Sequence, residues 1–398
     1  MKNVQAISSL LVFSAVSGIS AVNAGPEIEE ILVLEKKGKI GKTIQTEKFL
    51  KAPGTLGDPI SAIFTMPGIV QISDESGEPA VRGSSPDENI FLIDNFPVGF
   101  LFHDFGNSIF NENVIYDFGI KAAGFGAPYG NTIGAVFDVT MRDPNNQPLQ
   151  TVIDLSFLQA GIFVESAITE DQSFYFSYRE GLTQLFLDEE ETEAEDDIKV
   201  KNMPRSRDYQ GKYLWNINKN TNLVAQVIGA EDTVEAEFGE KSQEALLDPG
   251  FLGNANLSTE FHSQGITLNH STTNGELSLA LGHLQELNDY KVGANEYIDS
   301  VIDTWTVKTQ YIFTLSDTHN LIAGLEHQKA DYDYEFRLRL DNCDEFTPDC
   351  DNNLSPLTTD IREHSIQSNR VYLQDHWKLT DSLSLTSGLH AGDDDHFN

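Results

Sequence analysis

From residue 149 to residue 398 the chain repeats one pattern, apolar and polar residues alternating over runs of strand length. Leu277, Leu279 and Leu281 alternate with Ser278, Ala280 and Gly282. Trp305, Val307, Thr309, Tyr311 and Phe313 form one face, with Thr306, Lys308 and Gln310 on the other. Tyr209, Gly211, Tyr213, Trp215 and Ile217, and later Leu383, Leu385 and Leu389, repeat the theme. A period of two sends successive side chains to opposite faces, so this region is committed to antiparallel strands with one apolar and one polar face.

The connections narrow the choice. Short polar turns fall at residues 169–171, 218–222, 272–275, 316–320 and 380–382; longer links run from Gly181 to Arg207, Gly239 to Asn256 and Leu340 to Glu363. Short and long mostly alternate. A sandwich or propeller has no reason to sort loop lengths by end, whereas an outer-membrane barrel has short periplasmic turns and longer outward loops. After Ala24 no run is long and apolar enough for a membrane helix, so a membrane-embedded mature chain must be a closed barrel.

The first 24 residues read as an export signal. Lys2 supplies the positive start, Ala6 to Val22 the apolar stretch, and Val22-Asn23-Ala24 the cleavage site, making Gly25 the mature start. Ser8, Ser9, Ser14, Ser17 and Ser20 dilute the stretch too far for a good membrane anchor. Export makes a disulfide between Cys343 and Cys350 the natural reading of the two cysteines. In the chain-entropy view so small a loop gains about 2.5 kcal/mol, which shapes the loop without holding a domain. The cysteines lack the histidines of a zinc site, and the surrounding aspartates lack the glycine of a calcium loop.

With 62 acidic against 26 basic residues the net charge is −36, which excludes nucleic acid as a partner. Residues 188–197, almost all Asp and Glu, read as a solvated outward loop, with a cation-gathering lip as the rival reading.

Residues 25–148 have another texture, with short apolar runs among Gly, Pro and Asp. A helix is expected from Asp58-Pro59 through Ile60, Ile63, Phe64 and Met66, capped by Asp58 and stopped at Pro67-Gly68. Strands are expected at Ile90 to Ile93, Val114 to Ile120 and Val136 to Met141, giving a small α+β domain.

It is here that a resemblance becomes specific. Val81-Arg82-Gly83, followed by Ile90-Phe91-Leu92-Ile93-Asp94-Asn95-Phe96-Pro97-Val98, resembles the plug of TonB-dependent outer-membrane receptors. Pro67-Gly68-Ile69 is similar to the segment before that motif; Tyr129-Gly130 and Val136 to Arg142 are similar to its exit into the barrel. Val371 to Thr380 with Leu383 to Leu389 resembles a mid-barrel hairpin of the same family. Asn95 departs from the usual glycine, which is tolerable because Asn also reaches the left-handed conformation. Lys121-Ala122-Ala123-Gly124 is looser than the common form.

The resemblance implies a mainly β fold: a transmembrane antiparallel barrel of about 22 strands with an N-terminal α+β plug. It divides the chain into signal peptide (1–24), TonB-box region and linker (25–50), plug (51–148) and partial barrel (149–398). Ten or eleven strands are counted after 148, so the chain is expected to be part of a longer product, with a binding-only or non-functional truncated receptor as the other reading. Glu30, Ile31, Leu32, Val33 and Leu34 are similar to a TonB box, an extended segment able to add a strand to a periplasmic partner; an ordinary first plug strand is the other reading. On this reading no separate signalling domain is expected ahead of it. Arg82, Gly83, Asp94, Gly130, Asp138 and Arg142 are taken as structural or gating residues of the plug, with Arg82, Asp94, Asp138 and Arg142 candidates for ion pairs within the plug or against the barrel wall. The implied partners are a TonB-type energy-transducing protein, outer-membrane lipid and a small-molecule or metal-chelate ligand such as a ferric siderophore, with vitamin B12 or carbohydrate as rivals. No cofactor is implied.

An enzyme is disfavoured by the motifs. Lys39-Ile40-Gly41-Lys42-Thr43 ends like a phosphate loop, but Lys36 stands where its first glycine belongs, and neither His-Glu-x-x-His nor Gly-x-Ser-x-Gly occurs.

Overall fold

The computed structural model describes residues 58–395, except 59, 61–62, 65–66, 72–77, 105–106, 123, 131, 183–184, 186–196, 243–244, 247 and 340–355, and without the side chains of 202–203. The signal segment, Glu30 to Leu34, nearly all of the acidic run, Cys343 and Cys350 therefore lie outside the described residues. The chain divides at Gly38, and everything below concerns the second unit, Lys39–Asn398.

The plug is built on a four-stranded sheet in the order β4-β3-β6-β5, with β3 (Ile90–Ile93) parallel to β6 (Val136–Met141) and antiparallel to β4 (Phe96–Pro97), and β5 (Ile115–Lys121) antiparallel to β6. A separate pair, β1 (Ile69–Gln71) and β2 (Pro79–Val81), lies beside it in sequence. Asp94 and Asn95 form the β3–β4 turn with φ of 48° and 69°, the double left-handed geometry of a two-residue hairpin. Asn therefore does serve in the glycine position. Arg82 (φ 53°) and Gly83 (φ 88°) make a second turn of the same hand, closed by Ser84 N–H donating to Val81 O at 3.0 Å.

The expected helix after Asp58 is seen, among the described residues, only as a 3-10 turn at Ile63 and Phe64, with Ile63 N–H donating to Ile60 O. Asp58 does cap it, accepting from Ile60 N–H at 2.8 Å. The same carboxylate also takes the backbone N–H and the hydroxyl of Ser108. The Asp58 cap is thus shared with a distant loop.

The remaining chain forms a single antiparallel meander of eleven strands, β7 to β17, each paired with its neighbours in sequence. They are β7 (Gln150–Leu155), β8 (Gln159–Thr169), β9 (Gln172–Gly181), β10 (Ile198–Asn218), β11 (Thr221–Phe238), β12 (Gly253–Thr272), β13 (Gly275–Val292), β14 (Glu296–Ser316), β15 (His319–Arg339), β16 (Leu357–Thr380) and β17 (Leu383–Asp394). At one end every connection is a tight turn: Thr169 pairs with Gln172, Asn218 with Thr221, Thr272 with Gly275, Ser316 with His319 and Thr380 with Leu383. At the other end the links are 156–158, 182–197, 239–252, 293–295 and 340–356. Two of those are short, so length does not strictly alternate. The three long links are also shorter than the sequence suggested, because β10, β12 and β16 begin at Ile198, Gly253 and Leu357. Their opening stretches are rich in polar residues, yet the pairing continues through them, with register shifts in β10 between Val200 and Arg205.

The two faces are inverted relative to a soluble sheet. Leu223, Leu268, Leu279, Thr309, Leu325 and Val371 stand in one register row across β11 to β16, and Ala225, Ile266, Leu281 and Val307 in the next. In these rows Ile266, Leu281, Val307, Leu325 and Val371 are about half exposed. The polar face is the buried one: Ser177, Gln210, Lys212, Gln226, Ser263 and Thr306 are all buried. An apolar exterior around a polar interior is the arrangement of a barrel wall in lipid. Strands such as β14 and β15 run 21 residues. A membrane crossing takes about 9–11, so their far halves project beyond the apolar band.

The plug packs against this polar interior. Plug residues Ile93, Phe100, Leu101 and Phe110 share one hydrophobic cluster with wall residues Tyr175, Ile228, Phe261 and Leu284.

Candidate functional site, the plug–wall interface and the chamber above it

Most of the plug motif residues make ionic or close contacts that bind the plug together or to the wall. Asp94 uses both oxygens: one accepts from Met141 N–H at 3.2 Å, the other from Lys212 Nζ of β10 at 2.9 Å. Lys212 is buried and also donates to Met141 O at 2.8 Å. Arg142 donates to Glu165 Oε1 of β8 and to Asn113 O, both at 2.5 Å, and its guanidinium lies 5.0 Å from the centre of the Tyr175 ring. Asp138 stays within the plug, accepting from Tyr129 O–H at 2.6 Å and Lys121 Nζ at 3.1 Å. Burial, and then the adjacent Asp138 charge, push the Tyr129 hydroxyl far up. Gly130 lies so close to β17 that a Cβ there would fall 2.5 Å from the His390 ring. Nearby, Ala127 N–H donates to Gln374 Oε1 at 2.8 Å, and His390 Nδ1 donates to Ala127 O at 2.9 Å. Arg82 and Gly83 sit on an exposed turn, and no ion pair of Arg82 is seen among the described residues.

Two features of the interface are not marked by any sequence motif. The first is steric. Phe96, at the tip of the β3–β4 hairpin, points between Gly265 of β12 and Gly282 of β13, which face each other in register. A Cβ at either glycine would lie 2.5 or 2.4 Å from the ring, and Ser263 Oγ donates to Pro97 O beside it at 2.9 Å. Glycine inside a strand marks such a close approach.

The second is electrostatic. His103, on the loop after β4, is buried between two wall carboxylates: Nδ1 lies 2.8 Å from Asp232 Oδ1 of β11, and Nε2 lies 3.2 Å from Asp208 Oδ2 of β10. Arg179 of β9 donates to Asp208 at 2.8 Å and to Ser108 O of the plug at 2.5 Å. Gln210 donates to Asp208 Oδ1 at 2.8 Å. Burial opposes the imidazolium most strongly, but the hydrogen bonds and charges of Asp208 and Asp232 outweigh it and push His103 up to about 9. His103 is therefore a cation at neutral pH, and with Arg179 it balances the two carboxylates. An i, i+2 run of polar residues on one face, Asp208, Gln210 and Lys212, was the sequence signal of an interior wall carrying charge.

Above this cluster, on the long-link side, lies a chamber of about 360 Å³. The plug contributes Glu78, Asp87, Phe100, Phe102 and Asp104; the wall contributes Asp232, Thr259, Phe261, Glu286, Asn288 and Tyr290. Its size suits a small molecule. Its charge is one-sided, and burial together with neighbouring carboxylates raises both Glu78 and Asp104, the latter to about 6. A smaller cleft of about 200 Å³ involves Tyr178, Arg207, Tyr209, Glu231 and His262, on the opposite face of the wall from the plug.

Comparison with solved structures places this architecture. The chain resembles the siderophore receptor PirA from Acinetobacter baumannii (TM-score 0.62, 15% identity), covering 88% of this chain and 56% of that one. It also resembles the outer membrane transporter YddB from Escherichia coli (TM-score 0.61, 10% identity, 88% and 56% covered). A third match is the ferric enterobactin receptor PfeA from Pseudomonas aeruginosa (TM-score 0.58, 13% identity, 84% and 54% covered). The chain thus spans about half the length of the structures it matches. No family model matches the sequence, and no curated protein does.

Proposed function

We propose that this chain, which has the fold of TonB-dependent outer-membrane receptors, works as one: a gated importer that takes a scarce nutrient from outside the cell and releases it to the periplasm. The observation that carries this reading is a plug held inside a barrel wall by side-chain contacts, with a ligand-sized chamber on its outer side. A pathway occupied in this way passes a ligand only when the plug moves.

The apolar outward rows support a wall set in a membrane, the fold shared with outer-membrane receptors favours the outer one, and on this reading residues 1–24 are the export signal. The work of moving the plug comes from a TonB-type partner that pairs with the extended segment Glu30 to Leu34 by strand addition. Arg82, Gly83, Asp94, Gly130, Asp138 and Arg142 hold the plug's shape and its seat; none of them lines the chamber. Cys343 and Cys350 close an outward loop by a disulfide.

The substrate class follows from two considerations. The neighbours named as siderophore receptors favour a ferric chelate. The chamber lining of carboxylates and aromatic rings favours a chelate that is cationic or neutral and rich in hydrogen-bond donors, since an anionic one would meet like charge. Radio-iron uptake from cationic, neutral and polyanionic chelates, in cells that depend on this receptor, tests the reading. Uptake of the first two in preference to the third is expected; uptake of none of them under iron starvation would overturn iron as the cargo.

A further inference from the structure

Asp232 belongs to two structures at once. Its Oδ1 holds His103 of the plug at 2.8 Å, its Oδ2 accepts from the backbone N–H of Asp104 at 3.2 Å, and the residue lines the chamber above. No other wall carboxylate described combines these positions. Asp208, the second partner of His103, is held from below by Arg179 and Gln210 and does not line the chamber.

We propose that Asp232 is the switch through which chamber occupancy loosens the plug: a cationic or donor-bearing ligand that engages Asp232 competes for the oxygens that hold His103 and Asp104. The proposal rests on the importer reading and adds its regulation.

The chemistry of the site gives the competition its sign. Both Asp232 oxygens are taken by plug donors, so any donor arriving from the chamber must share or displace one of them. His103 then keeps Asp208 alone, an acceptor already saturated by Arg179 and Gln210. The groups facing the imidazole are Asp208 and Asp232 from the wall, the Phe100 ring at 6.2 Å, and Asp104 next to it in the chain. A buried cation that loses half of its carboxylate cage is weakly held, so the plug loop becomes easier to move. A ligand can shift the plug only through such a difference in contacts between the seated and loosened states. His103 and Asp232 are positioning residues in this scheme; neither need be moved by the partner itself.

The experiment is hydrogen exchange at residues 100–110 of the intact receptor in detergent, with ferrioxamine B, a cationic ferric trihydroxamate, and spermidine as probes. Asp232→Asn, His103→Gln and Glu286→Gln are compared, the last being a chamber carboxylate away from His103. Without probe, the first two should exchange roughly tenfold faster than wild type, the factor one charged hydrogen bond is worth, while Glu286→Gln should not. Either probe at saturation should speed exchange in wild type and in Glu286→Gln, and add little in His103→Gln. Wild-type exchange unchanged by both probes, or equal acceleration in His103→Gln, overturns the switch. The importer reading is judged separately, by uptake, and survives that result.

Discussion

Replacing Gly282 by Ala should unseat the β3–β4 hairpin of the plug by a purely steric change, since neither residue carries a charge or a polar side chain. The added methyl would lie 2.4 Å from the Phe96 ring, and the opposite side of the ring is closed by Gly265, where a Cβ would lie at 2.5 Å. Phe96 is 3% exposed, so the ring has nowhere to retreat except out of its socket. Overpacking of this kind costs about 2 kcal/mol, or roughly a thirtyfold shift toward the unseated hairpin. Phe96→Ala should cost more by itself, about 3–5 kcal/mol, because it empties the socket. Combined, the two should recover the overpacking term, since a methyl at 282 no longer meets a ring. The assay is hydrogen exchange at Asp94 and Val98, whose amides donate to Val139 O and Phe91 O, in purified receptor carrying each single change and both. A double-mutant cycle with a favourable coupling of about 2 kcal/mol is expected. Wild-type protection in Gly282→Ala, or strict additivity, would refute the socket.

Other outcomes follow from the same interface. Lys212→Met leaves Asp94 without its wall cation and should destabilise plug seating by about 3–5 kcal/mol; adding Asp94→Asn, which keeps the left-handed turn, should restore part of it, as read by denaturant-induced plug exposure. His103 titrates about 9 when seated against an ordinary 6.5, so its contribution is complete below pH 6.5 and is lost as pH rises through 9. Asp104, raised from 3.8 to about 6, works in the same direction at lower pH, its seated form favouring the proton. Protection of residues 100–110 should therefore fall in two steps as pH rises, and His103→Gln should abolish only the upper one. Mass spectrometry of envelope protein should find Gly25 at the N-terminus and a Cys343–Cys350 bridge; retained Met1 would remove the export signal from the account.

What the sequence made legible, and what it hid, follows the range of the forces involved. Ile90 to Ile93 and Val136 to Met141 are strands with the bounds expected, because short apolar runs between turn residues leave little freedom. The tight turns fall where Asn, Asp, Gly and Thr cluster, for the same local reason. At Ile63 and Phe64 the expected helix is a 3-10 turn, and the Asp58 cap is shared with Ser108, fifty residues on, which no local pattern records. The alternation at Trp305 to Phe313 gave two faces without saying which looked inward. In lipid the apolar face turns out, and only three-dimensional pairing reveals that Thr306 is buried and Val307 half exposed. His103, Arg179, Asp208 and Asp232 looked like ordinary polar residues. They become a cluster because the meander brings β9, β10 and β11 together opposite one plug loop.

The most direct test of the proposed importer function separates binding from energised accumulation. Chelate binding to cells and accumulation inside them should be measured for the wild-type receptor and for Val33→Pro, which removes a pairing donor from the segment expected to meet the TonB-type partner. Surface binding should be the same for both, and accumulation should be lost in Val33→Pro and in wild-type cells whose inner-membrane proton gradient is collapsed. Accumulation that persists in either case would contradict a plug moved by inner-membrane energy.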